Sequence, residues 1–107
     1  MMEHFEFYHD EEGVPRVRAP SGHELAAVFL ETDVQGDPAL ADEILEGVAS
    51  IYGREADRGV FVGNAHVVEV EPDEVRIESE FDEDAEVYRM STEEFVHLLR
   101  RWRRFIA

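Results

Sequence analysis

The chain has 107 residues, the size of one domain, and carries 26 acidic residues against 10 basic ones for a formal net charge of −16. All of the basic residues are arginine, cysteine is absent and 44% of residues are hydrophobic, so a single folded domain over 1–107 is expected, without a disulfide framework or a thiolate metal site. Charge of one sign at this density repels phosphates and anionic headgroups, which argues against direct nucleic-acid and membrane binding and leaves a basic protein partner, or simple solubility, as its use.

The opening stretch, Glu3 to Arg18, sets Phe5 and Phe7 among charged neighbours, breaks at His9-Asp10-Glu11-Glu12-Gly13 and resumes through Val17. This spacing predicts a hairpin whose second strand, holding Pro15, lies at an edge. Ser21 stands where an N-cap belongs, and Leu25, Val28, Phe29 and Thr32 recur at helical spacing, so a short helix is expected over about 22–33. Asp37-Pro38 is a second start signal, because aspartate caps free amides and proline is tolerated at the first helical position. Leu40, Ile44, Leu45, Val48 and Ile51 line one side of the helix it opens, Asp42, Glu43 and Glu46 the other, and Gly53 ends it.

From Val60 the period changes to two. Four segments follow, at 60–62, 66–70, 75–81 and 86–90, with turns at Glu71-Pro72-Asp73-Glu74 and Asp82-Glu83-Asp84-Ala85. In the third, Val75, Ile77 and Phe81 are expected on the core face and Arg76, Glu78 and Glu80 on the wet one. Ser91-Thr92-Glu93-Glu94 reads as a capping box, and the stripe Phe95, Leu98, Leu99, Trp102 and Ile106 behind it predicts a terminal helix. The expected class is α+β: an antiparallel sheet made of an N-terminal hairpin and a C-terminal meander, with about three helices packed on one face, in the order ββαα-βββ-α.

No motif in the chain carries chemistry. Gly59 and Gly63 lack the pattern of a phosphate-binding loop, Ser21, Ser50, Ser79 and Ser91 stand in no elbow, and His4, His9, His23, His66 and His97 form no pair at metal-ligand spacing. The acids near His66 and His9 are of the kind that completes a shell for divalent ions, but no cofactor or metal is expected. His23, followed at once by Glu24, is the best lone catalytic candidate, but neighbours on a helix point apart, so it reads as a structural histidine. Asn64 reads as a turn residue. No catalytic residue is assigned, and the chain is expected not to be an enzyme; a small hydrolase using His23 is the reading this displaces.

One stretch is distinctive. Glu69, Glu71, Asp73, Glu74, Glu78, Glu80, Asp82, Glu83, Asp84 and Glu86 are opposed within it only by Arg76. They are the candidate partner-binding residues, an electronegative surface suited to a basic protein, against the alternative of a solvated sheet face. With no apolar run of the ~18 residues a membrane span needs, and an N-terminus unlike a signal peptide, a cytoplasmic address is expected.

The spaced pattern Phe5-x-Phe7-x-x-Asp10-x-x-Gly13-x-Pro15-Arg16-Val17, then Gly22-His23-Glu24, Phe29-Leu30-Glu31-Thr32-Asp33-Val34, Gly63-Asn64-Ala65 and Glu94-Phe95 with Trp102-x-x-Phe105-Ile106, resembles small bacterial CdiI-type immunity proteins of contact-dependent growth inhibition. Its first and last segments also look like the bacterial YacL family. The first resemblance implies tight binding to a cognate toxin domain, expected to be a basic nuclease, by blocking its active site or substrate path. The second implies a housekeeping protein of unknown task, and a small acidic protein-interaction domain is the third possibility.

Overall fold

The computed structural model describes residues 4–81 and 84–107. The hairpin consists of β1 (Glu6–His9) and β2 (Pro15–Arg18), paired antiparallel with Phe7 opposite Val17. Its turn is built by Asp10, whose carboxylate accepts from the backbone N–H of Glu12 and Val14 at 2.9 and 3.0 Å, while Gly13 takes the left-handed conformation (φ +81°).

The first helix begins later than its sequence signals place it. Helix α1 runs Glu24–Phe29 from an N-cap at His23 that offers no side-chain bond, so Ser21 does not cap it. It passes directly into a π-helical turn, Leu30–Val34, closed by the Gln35 N–H donating to the Leu30 carbonyl at 2.7 Å. The buried residues keep ordinary helical spacing through both segments, on a face that takes Ala26 and Ala27 in place of Val28. Ala26, Ala27, Phe29, Leu30 and Val34 face the core, whereas Val28 and Thr32, expected on that face from ordinary helical spacing, are exposed.

Helix α2 (Pro38–Tyr52) starts as predicted: an Asp37 carboxylate oxygen accepts from the N–H of Ala39 and Leu40, with Pro38 in the first turn. It buries Ala41, Ile44, Val48 and Ile51. The meander follows as β3 (Gly59–Val62), β4 (His66–Val70), β5 (Glu74–Ser79) and β6 (Tyr88–Ser91), all antiparallel and in spatial order β3-β4-β5-β6. Val68, Val70, Val75, Ile77 and Met90 point inward onto the helices.

Strand β5 ends two residues before Phe81. Glu80 still donates to the Ala65 carbonyl, but the Phe81 N–H turns back to the Ser79 hydroxyl, and the ring is 79% exposed instead of reaching the core. Helix α3 (Thr92–Ile106) is capped by Ser91, whose hydroxyl accepts from the Glu94 N–H at 3.0 Å, and buries Phe95, Val96, Leu98, Leu99 and Trp102. The Trp102 indole N–H donates to the Gln35 carbonyl at 2.9 Å, and its ring meets Phe7 edge-on at 5.6 Å. One side chain thus ties the final helix to both the hairpin and the π-helical turn. Among the described residues, no helix is long and apolar enough to cross a membrane.

Candidate partner interface

The eight described acids of the ten singled out from sequence fall into two groups at opposite ends of the sheet. Strand register sets Val60, Glu69, Arg76 and Arg89 in one row across the outer face. There the Arg76 guanidinium reaches Glu69 at 2.9 Å, Glu74 at 3.1 Å and Glu71. Arg58 adds a second bond to Glu69 at 2.9 Å and Arg89 one to Glu74 at 3.3 Å, while Arg54 pairs with Asp73 at 3.0 Å. Hydrogen bonds from Arg76 and then Arg58 hold the Glu69 carboxyl below the usual glutamate range, and the Arg76 guanidinium is raised in turn, chiefly by its bond to Glu69. Glu69, Glu71, Asp73 and Glu74 therefore spend their charge within the chain.

The other end of the sheet is different. Glu78 lies in register with Val67, which lies opposite Val62, so a second row passes from apolar to acidic across the face. Glu78, Glu80, Asp84 and Glu86 are exposed, and among the described residues no arginine pairs with Glu78, Glu80 or Glu86. Asp82 and Glu83 lie outside the described residues. Val60 and Val62 stand 52% and 70% exposed on β3, and Phe81 follows the strand that carries the unpaired acids.

These exposed apolar residues were not among the candidates from sequence. The available signal was the run Val60-Phe61-Val62, apolar on both faces of a strand without a charge to protect it. Phe81 gave no signal, because its alternation matched Val75 and Ile77 and only the early end of β5 exposes it.

A second constellation lies beside β3. The Asp33 carboxylate accepts from the Ala65 and His66 backbone N–H at 3.3 and 3.0 Å and from the Thr32 hydroxyl at 2.8 Å, and meets His66 Nδ1 at 2.9 Å. The approach is so close that a β-carbon on Gly63 would lie 2.0 Å from the carboxylate. Asn64 closes the same junction by donating to the Thr32 carbonyl at 3.0 Å. A histidine–aspartate pair is a unit of acid–base chemistry, but these two side chains are only 4% and 3% exposed, and the Asp33 bonds to Ala65 and His66 clasp the π-helical turn to the β3–β4 turn.

Beside the clasp, the π-helical turn, the start of α2 and β3 enclose a cleft of about 570 Å³, floored by Phe29, Val34, Ile44 and Phe61 and edged by Asp37 and Glu43. His23 sits elsewhere, with Nδ1 against the Tyr88 hydroxyl and its ring edge-on to Phe5 at 5.8 Å. Glu24 turns from it to accept from the Gly22 N–H at 3.2 Å, so the adjacent carboxylate does not orient the imidazole. Among the described residues, no group of three or more His, Asp or Glu side chains is arranged to hold a metal ion.

The sequence model of an uncharacterised protein family, UPF0231, matches residues 2–106. No curated protein and no solved structure matches the chain.

Proposed function

The chain belongs to the uncharacterised family UPF0231, and from that premise we propose a binding function: it occupies the cationic face of a basic partner protein, as an immunity protein occupies a toxin nuclease domain. One observation carries this reading. Phe81, 79% exposed, directly follows Glu80 and lies three residues after Glu78 in the chain, and among the described residues no arginine pairs with either acid. An exposed aromatic within an acidic stretch of chain has the composition of an interface anchor with a charged rim, since large rings supply contact energy and like-signed rim charges supply steering and selection. A nuclease domain must attract phosphates, so its active face is cationic and complementary to such a surface. The resemblance to CdiI-type proteins supports the same assignment.

The reading is tested by purifying the product of the gene adjacent to this one and assaying it for nuclease activity with and without this chain. The pair is expected to form a complex in which nuclease activity is suppressed, and Phe81→Ala is expected to speed dissociation about tenfold or more without loss of fold. Absence of a complex, or a Phe81→Ala variant with unchanged rates, overturns it.

A further inference from the structure

We infer that the free edge of β3, together with the cleft beneath it, accepts an extended cationic segment of the partner as a fifth strand of the sheet. The inference rests on the basic-partner reading for the charge of the occupant, and on backbone geometry for its mode of binding. Strand β3 is the first in the order β3-β4-β5-β6 and pairs with β4 only. The Gly63 N–H donates to the His66 carbonyl at 2.9 Å, which fixes the alternation of the ladder. Residues 59, 61 and 63 therefore point their N–H and C=O groups at β4, and Val60 and Val62 point theirs away from it. The strand carries none of the usual protections of an edge, neither charge, proline nor bulge, and its two outward-bonding residues also expose their side chains.

Alongside that edge lies the apolar cleft, with Phe61 and Val62 on one wall and the first turns of α2 on the other. A strand added to β3 would send alternate side chains toward α2 and the others into line with Val60 and Val62, the arrangement by which strand addition joins backbone affinity to side-chain choice. Charge selects the occupant. Asp37 and Glu43 edge the cleft, and the net charge of −16 opposes a second copy of this chain while attracting an arginine- or lysine-bearing segment.

The test uses the full chain and two capped eight-residue peptides, one alternating arginine with valine and one with glutamate in place of arginine. Amide hydrogen exchange is followed residue by residue. The arginine peptide is expected to slow exchange at Val60 and Val62 about tenfold or more, and the glutamate peptide to leave both unchanged. Val62→Pro removes an N–H that β4 does not use, so the fold is expected to survive while arginine-peptide binding weakens about tenfold or more. Should that variant unfold, Glu43→Arg, on the exposed side of α2, is expected to weaken binding by a few-fold at low salt. No protection at millimolar arginine peptide, equal protection by both peptides, or unchanged binding in the variants overturns the inference. So does concentration-dependent protection without peptide, which would make a second copy the occupant. Phe81→Ala is expected to leave peptide binding intact, so failure to form a complex with the adjacent gene's product alongside a positive peptide result removes the proposed function and not the strand addition.

Discussion

Asp33 and His66 stand 33 positions apart and meet through a 2.9 Å contact between a carboxylate oxygen and ring Nδ1, with both side chains almost sealed from water. The carboxylate also serves two backbone N–H groups of the β3–β4 turn. Removing it strands several buried donors together, each costing about 1–3 kcal/mol when left unmade. Asp33→Ala is therefore expected to lose about 3 kcal/mol or more, out of the roughly 5–15 kcal/mol that holds a typical domain folded. Urea unfolding measures this directly. A loss below about 1 kcal/mol would mean that water replaces the carboxylate and the clasp is dispensable.

The same clasp makes a sharper prediction at Gly63. Its φ is ordinary, so alanine there meets no backbone strain, but the added methyl would lie 2.0 Å from an Asp33 oxygen. Overpacking a fixed site costs about 1–3 kcal/mol. Gly22 supplies the contrast: it has φ +90° and open space around it, so alanine there meets strain and no collision. Gly63→Ala is expected to destabilise the protein, and the combination of Gly63→Ala with Asp33→Ala to cost less than the sum of the two. An additive double variant would show that the collision is relieved elsewhere.

The chain announces those parts of the fold whose cause is local. Asp37-Pro38 and Ser91 cap helices through their own next few amides, and the four period-two segments become the four strands because alternation is itself the strand's geometry. The buried face of the first helix was hidden, since small Ala26 and Ala27 complete the helical stripe with Phe29, Leu30 and Val34, while the larger Val28 lies on the opposite side with Thr32. The Asp33–His66 pair was hidden for another reason: a contact across 33 residues exists only once the meander is placed over the helices. The acidic run was visible, but its division was not. Arg58, Arg89 and Arg54 reach Glu69, Glu74 and Asp73 through strand register and turn placement, and no spacing along the chain shows which acids the arginines will take.

The network around Arg76 gives a pH-dependent prediction. Bonds from Arg76 and Arg58 lower the folded-state pKa of Glu69, so the unfolded chain binds this proton more readily than the folded one. The resulting stabilisation is fully present above the ordinary glutamate value and is lost as pH falls through the lowered one. Arg76→Gln is expected to be less stable than the parent near neutrality, and the gap is expected to narrow as pH drops through that window. Denaturant midpoints across pH 2–7 test it; a gap that stays constant would assign the cost of Arg76→Gln to lost packing of its stem.

The division of the acids also predicts how they differ in partner binding. Glu78 and Glu80 are exposed and unpaired by any described arginine, so their field reaches solvent, whereas Glu71 and Glu74 face Arg76 and Arg89 at contact distance and project much less. Reversing Glu78 and Glu80 to lysine is expected to slow association with the proposed basic partner roughly tenfold at low salt and to flatten its salt dependence, because long-range steering is what unpaired rim charges supply. The effect should fade as ionic strength rises past 0.1 M, where the screening length is about 10 Å. Reversing Glu71 and Glu74 is expected to act mainly on stability, by placing two cations beside Arg76. Dissociation should change little in the first pair of substitutions and much more in Phe81→Ala, since the ring supplies contact and the acids supply approach. Stopped-flow association and dissociation at several salt concentrations separate the two. Equal slowing by both pairs of reversals would show that only the total charge of −16 matters and that the exposed end of the sheet has no special part in recognition.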